Sequence, residues 1–111
     1  MTFEKLRDLF LAFPGVEEST SYRTPAFKVR KKLLARLHQK EPAVVLKVDS
    51  IDEQEALIEM SPSVFYITDH YEGYPWVLAR MSKLKVGQAR PIIEAAWRAE
   101  ASQKQIAELD G

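Results

Sequence analysis

The hydrophobic positions near both ends of the chain recur at the three- and four-residue steps of a helix. Near the N-terminus the apolar face stops at Pro14-Gly15, a pair that ends helices. Ser50 and Glu53 have the spacing of a capping box, so a second helix is predicted to begin there. The pattern predicts three helices, over residues 2–12, about 50–60 and about 88–109.

Between the first two predicted helices the hydrophobic period changes to two. This alternation is typical of half-buried strands, and the separators are short enough for hairpins. Further strands are predicted at residues 64–67 and 76–81, on either side of a loop at residues 69–75. The residues expected to face the helices are Phe27, Val29, Leu33, Ala35, Leu37, Val44, Leu46 and Val48. The order of elements predicts a single two-layer α+β domain over residues 1–111, an antiparallel sheet with helices on one face.

The amino-acid composition excludes several classes of protein. The chain has 111 residues and no cysteine, which excludes disulfide scaffolds, zinc ribbons and thiol catalysis. Its longest apolar runs are a few residues long, against the roughly 20 that span a bilayer. The N-terminus lacks the charged-then-apolar order of a signal peptide. We therefore expect a cytoplasmic protein with no membrane partner.

The cations are unevenly distributed along the chain, although its net charge is zero. No acidic residue occurs between Ser19 and Lys40 or between Gly73 and Ile93, and these windows hold seven and four of the sixteen Lys and Arg residues. The strand alternation then predicts an outer sheet face that carries Lys28, Arg30, Arg36, His38 and Lys47, joined by Trp76 and Arg80. Such a face suits a phosphate backbone or an acidic protein, and it equally suits the solvated side of a two-layer fold.

The sequence carries little that indicates catalysis. His38 falls in a predicted strand among cations, and His70 follows Asp69 in an aromatic loop. A His–Asp pair can orient a general base, but neighbours in sequence rarely make that contact. Two histidines 32 positions apart form no metal-ligand pattern, and no nucleotide-binding or hydrolase motif occurs. We predict no enzyme activity, no cofactor and no metal.

The loop from His70 to Trp76 has two interpretations. Its aromatic residues either lock the loop onto the core or, with Phe65 and Tyr66 beside them, line a small-molecule pocket. Pro75 stiffens the entry to the last strand. We therefore expect Trp76 to bury most of its surface near His70.

Four segments of the chain resemble the MmcQ/YjbR family, in the order and at the spacing of that family. They are Phe13-Pro14-Gly15-Val16-Glu17-Glu18, Pro25-Ala26-Phe27-Lys28-Val29, Leu46-Lys47-Val48-Asp49 and His70-Tyr71-Glu72-Gly73-Tyr74-Pro75-Trp76-Val77. The resemblance implies an α+β fold similar to that of secretion chaperones, and DNA binding through two hairpin wings. The chain departs from the family at Arg30-Lys31-Lys32, where a glycine commonly precedes the hairpin lysine.

These observations together predict a non-enzymatic binding domain that binds DNA weakly and without sequence specificity. One alternative is a protein-interaction module, chaperone-like or dimerising, that docks a protein partner or a second copy of itself. The other is a small-molecule-binding domain at the loop from His70 to Trp76. The predicted phosphate-contacting residues are Lys28, Arg30, Lys31, Lys32, Arg36 and Arg80.

Overall fold

The structure, a computed structural model that describes residues 1–38 and 42–111, is built on an antiparallel sheet. Its strands are β1 (Val16–Ser21), β2 (Thr24–Val29), β3 (Lys32–Leu37), β4 (Ala43–Lys47), β5 (Phe65–Tyr66) and β6 (Trp76–Arg80), in the order β1-β2-β3-β4-β6-β5. The helices are α1 (Phe3–Leu11), α2 (Ile51–Met60), α3 (Val86–Glu100) and α4 (Gln103–Asp110). The predicted α+β class is confirmed. The turn predicted around Gln39 to Pro42 lies, except for Pro42, outside the described residues.

Helices α1 and α3 cover one face of the sheet. The hydroxyl of Thr2 caps α1 by accepting a backbone N–H at 3.2 Å. Phe10 of α1 stacks on Phe27 of β2, with ring centroids 4.5 Å apart. Trp97 of α3 is fully buried, and its indole N–H donates to the Pro14 carbonyl at 2.8 Å. The two helices and this sheet face therefore share one hydrophobic core.

The C-terminal helix that periodicity predicts as continuous is two helices. Ala101 is extended (φ −71°, ψ 154°), and Ser102 begins α4 by accepting the Gln105 N–H at 3.1 Å. The Gln105 side chain accepts the Ser102 N–H at 2.9 Å, which completes a capping box. The break brings α4 back against Gly15, where the Gln105 amide fills the space that a Cβ would need. Because the apolar stripe continues across the break, periodicity alone predicts one helix.

A bulge in β3 reverses the predicted direction of Leu33. Phe27 pairs with Ala35, whereas the next residue of β2, Lys28, pairs with Leu33, so Leu34 is an extra residue on β3. Leu34 is buried in the core under the helices, and Leu33 instead lines a cavity on the outer face of the sheet. The prediction that Leu33 faces the helices is therefore wrong.

The outer face of the sheet, opposite α1 and α3, carries a second apolar cluster. Ala43, Val45 and Leu78 are buried there together with Tyr71, which comes from a short 3-10 turn at residues 69–71. The loop of residues 69–75 thus covers part of this face. The face is not the uniformly basic, solvated surface that strand alternation suggests, because apolar side chains occupy its centre.

The first two hairpins close through turns that hold non-glycine residues in the left-handed region. Tyr22 and Arg23 have φ values of 52° and 66°, and Arg30 and Lys31 have the same two values. Two successive positive φ angles are the signature of a type I′ turn, whose twist matches that of paired antiparallel strands. Neither turn contains the Asn or Gly residues that are typical of type I′ turns, so the sequence does not predict the turn type.

None of the helices in the described residues is both long and apolar enough to cross a bilayer. The cytoplasmic location and the single-domain organisation stay predictions.

Candidate functional site

Four of the six predicted phosphate-contacting residues lie at or near the tip of the β2–β3 hairpin. Lys31 and Lys32 are exposed at its tip, beside Arg30. The Arg30 guanidinium donates to the last backbone carbonyl of α3 at 3.4 Å. Lys28 lies further along β2, opposite Glu17 of β1. The positive charge of this hairpin is therefore concentrated at its tip.

The other two predicted residues, Arg36 and Arg80, lie away from this tip. Arg80 of β6 donates to the carbonyl oxygens of Pro62 and Ser63 at 3.3 Å each, and its guanidinium carbon lies 4.2 Å from the Tyr66 ring centroid. Arg36 lies near the other end of β3 and lines a pocket. The structure thus groups four of the six cations and separates the remaining two from them and from each other.

A pocket of about 360 Å³ opens on the outer face of the sheet, and we call it the aromatic pocket. The β1–β2 turn contributes Tyr22, and the sheet contributes Leu33 and Val45. All four loop residues expected from the sequence lie together in it, whereas Phe65 and Tyr66 do not line it. The lining residues are Tyr22, Leu33, Arg36, Val45, His70, Tyr71, Tyr74 and Trp76.

Arg36 supplies the permanent charge of the aromatic pocket. Its Nη2 group donates to the Tyr71 hydroxyl. Its guanidinium carbon lies 5.1 Å from the Tyr22 ring centroid and 5.9 Å from that of Tyr71, both within cation–π range. No carboxylate in residues 1–38 or 42–111 forms an ion pair with Arg36. Its Nη1 group also donates to the Leu37 carbonyl at 3.4 Å, so the cation is held by aromatic rings, a phenol and a carbonyl rather than by a counter-ion.

Trp76 and His70 also line the pocket. Trp76 is more buried than exposed, as predicted, and it packs against the outer apolar cluster while lining the pocket. His70 is exposed, with its ring edge-on to Tyr71 at 4.8 Å. The loop is thus packed on the sheet and also lines a pocket, so the two interpretations of its sequence are compatible. The described residues contain no group of three His, Asp or Glu side chains placed to hold a metal ion.

Sequence reasoning missed Gln54, which holds the loop in place. Gln54 lies on α2 and is only 2% exposed. Its amide N–H groups donate to the carbonyl oxygens of Tyr74 and Trp76 at 2.7 Å each. One signal could have revealed it: Gln54 precedes Leu57 and Ile58 by three and four residues, a spacing that places a polar side chain on the apolar side of the helix.

Comparisons with known proteins agree on the family and the fold. Residues 11–99 match the family model described as YjbR. Uncharacterised proteins of Mycobacterium bovis and Mycobacterium tuberculosis are 28% identical to this chain over 89 residues, which cover 78% of this chain and 69% of theirs. The crystal structure of Deinococcus radiodurans protein DR2400, a DUF419 domain, is similar with a TM-score of 0.74 and 18% sequence identity, over 98% of this chain and 88% of that chain.

Proposed function

The chain belongs to the YjbR family, and on that premise we propose that it is a non-catalytic domain that binds nucleic acid through the β2–β3 hairpin. The observation that carries the proposal is the free charge on this hairpin. Lys28, Lys31 and Lys32 form no ion pair with any residue in the ranges 1–38 and 42–111. Grouped ammonium ions without counter-ions are the groups that phosphate oxygens bind.

We expect this binding to be weak and independent of base sequence. Lysine contacts to phosphate carry no sequence information, and neither β2 nor β3 contains an Asn or Gln that could read a base edge. Arg36 and Arg80 lie away from the hairpin tip, which leaves Lys28 and Arg30 to Lys32 as the contacts. Four contacts correspond to a slope of log affinity against log salt of about −3 to −4 on duplex DNA.

Fluorescence anisotropy of a labelled duplex over a series of salt concentrations tests the proposal. The double variant Lys31→Glu, Lys32→Glu should weaken binding at low salt at least about tenfold and make the salt slope shallower by about 2, because two phosphate contacts are lost. The matched control is Lys5→Glu, Lys83→Glu, which makes the same change in net charge at two exposed lysines outside the hairpin. The control should bind more tightly than the hairpin variant.

Equal binding by the hairpin variant and the parent protein would contradict the proposal. Size-exclusion chromatography separates it from the protein-interaction alternative. A stable dimer that resists salt and retains no nucleic acid would support an interaction module instead.

A further inference from the structure

We propose that the aromatic pocket is a binding site for a small planar anion, an aromatic ring that carries a carboxylate or a phosphate. This site is separate from the hairpin that we propose for nucleic acid, and the two can succeed or fail independently. Arg36 would hold the acidic group, and the aromatic side chains would hold the ring.

The state of Arg36 is the first observation that supports an anion. Arg36 as a whole residue is more buried than exposed, and among the described residues its guanidinium is paired with no carboxylate. Removing a charge from water without a counter-charge is costly. The cation–π contacts with Tyr22 and Tyr71, and the hydrogen bonds to the Tyr71 hydroxyl and the Leu37 carbonyl, involve neutral groups and offset only part of that cost. A guanidinium has five N–H donors in a planar fork that matches carboxylate and phosphate oxygens. An incoming anion would therefore complete a site whose positive half is already in place.

The walls of the pocket are the second observation, and they indicate a ring. Tyr74 is 61% exposed and Tyr22 is 72% exposed, and both line this one pocket, so exposed aromatic side chains are grouped here as they are in ligand-binding grooves. With Trp76 they line the pocket that also contains Arg36. A volume of about 360 Å³ lies at the low end of ligand pockets, which run from about 300 to 1,000 Å³, and it suits one fused ring system with its acidic group.

The third observation is that the pocket is rigid on the loop side. The amide of Gln54 fixes the carbonyls of Tyr74 and Trp76, and Pro75 between them restricts the backbone. Trp76 also packs on the buried outer cluster. A wall that is already ordered loses little conformational freedom when a ligand binds, which favours affinity for small molecules.

Two-dimensional ¹H–¹⁵N NMR tests the proposal, because the two indole N–H groups serve as probe and reference. Trp76 lines the pocket, whereas Trp97 is buried and bonded to Pro14. Titration with 2-naphthoate and with 2-naphthyl phosphate should move the Trp76 signal and leave the Trp97 signal in place. The neutral 2-naphthamide should bind at least about tenfold more weakly, since it lacks the charge-assisted hydrogen bonds. The tighter of the two anions identifies the acidic group.

Variants separate the role of Arg36 from general charge and from folding. Arg36→Gln should reduce affinity for 2-naphthoate to that for 2-naphthamide, and Arg36→Lys should lie between the variant and the parent because it keeps charge without the fork. Arg80→Gln is the matched control on the same sheet face, and Lys31→Glu, Lys32→Glu should leave pocket binding unchanged. Thermal melts identify any variant that does not fold. An unmoved Trp76 signal at millimolar naphthoate, or equal affinity for the acid and the amide, would overturn the proposal.

Discussion

Gln54 shows how one buried polar side chain can determine the shape of a binding surface. The loop around Pro75 cannot satisfy all its own carbonyls, because proline has no N–H to donate. The Gln54 amide, from a neighbouring helix, supplies a donor to the Trp76 carbonyl and a second donor to the Tyr74 carbonyl, which also accepts the Trp76 N–H at 2.8 Å. The position of Tyr74 and Trp76 in the aromatic pocket therefore depends on a residue that does not line it.

We expect Gln54→Leu to lower the free energy of unfolding by about 1–3 kcal/mol, since the Trp76 carbonyl loses its Gln54 donor and a buried carbonyl without a donor costs about that much. Gln54→Glu keeps the size but loses the N–H donors, and it should be at least as damaging at neutral pH. Denaturant midpoints measure both. Glu55→Leu, at the exposed neighbouring position, is the control and should change stability by no more than about 0.5 kcal/mol. A Gln54→Leu midpoint equal to that of the control would show that the bonds to the loop are unimportant.

Only some of the pocket residues can be identified as neighbours from the sequence alone. The run from His70 to Trp76 is contiguous, so its aromatic character is visible without a structure. Tyr22 and Arg36 come from separate hairpins, and only the strand register brings them to that loop. Gln54 leaves a weak trace, a polar residue at an apolar helical position. Contiguous chemistry can be predicted here, whereas chemistry assembled across strands cannot.

At the scale of elements, the two type I′ turns carry backbone strain. A residue other than glycine in the left-handed region costs about 1–2 kcal/mol. The two turns contain four such residues, and the paired strands on either side hold them there. Substitutions that relieve this strain should therefore raise the free energy of unfolding without any change in the core.

We expect Arg23→Gly to raise the free energy of unfolding by about 0.5–1 kcal/mol, because glycine adopts a φ of 66° without a clash and loses only part of this gain to backbone entropy. Lys31→Gly, at the matching position of the second turn, should behave alike. Lys28→Gly, one residue before the end of β2 and paired on both sides, is the control and should destabilise the protein. Urea unfolding of the three variants measures the effect, and a control as stable as Arg23→Gly would contradict it.

The errors in the predicted elements have local causes. Hydrophobic periodicity predicts the helices and most strands. A helix and a strand that each bury one face repeat their apolar residues at different, recognisable spacings. Periodicity does not predict the end of α3, because the apolar stripe continues past the capping box at Ser102 that begins α4. Periodicity also does not reveal the extra residue Leu34. The bulge reverses the direction of the neighbouring side chain, but Leu33 and Leu34 are both apolar, so the pattern is the same for either register.

At the scale of the whole molecule, α4 is joined to the rest by an acid-sensitive contact. Arg98 of α3 donates to both carboxylate oxygens of Asp110, at 2.7 and 3.1 Å, and to Glu94 at 2.9 Å. The hydrogen bonds from Arg98 lower the pKa of Asp110. A carboxyl whose pKa is lower in the folded state stabilises that state at neutral pH, and this contribution is lost as the pH falls through the acidic range.

We therefore expect α4 to loosen before the sheet does when the pH falls below the ordinary pKa of an aspartate, about 4. Backbone ¹³C chemical shifts during an acid titration should show residues 103–110 losing helicity first. Asp110→Asn removes the titrating group, and its α4 should show a smaller change over the same pH range. Simultaneous loss of α4 and the sheet in the parent protein would show that the contact has no local effect.

The strand order of the sheet also bears on the stage of folding at which the pocket forms. Strands β1 to β4 pair with their neighbours along the chain, and such local contacts form early because little chain entropy is lost in closing them. Strand β6, which carries Trp76, pairs with β4 across the intervening helix α2, strand β5 and loop, so this pairing closes a longer stretch of chain. We therefore expect the aromatic pocket to be completed late in folding. A ligand held there would prolong the lifetime of the native state by slowing its unfolding, while the rate of folding would remain that of the empty chain.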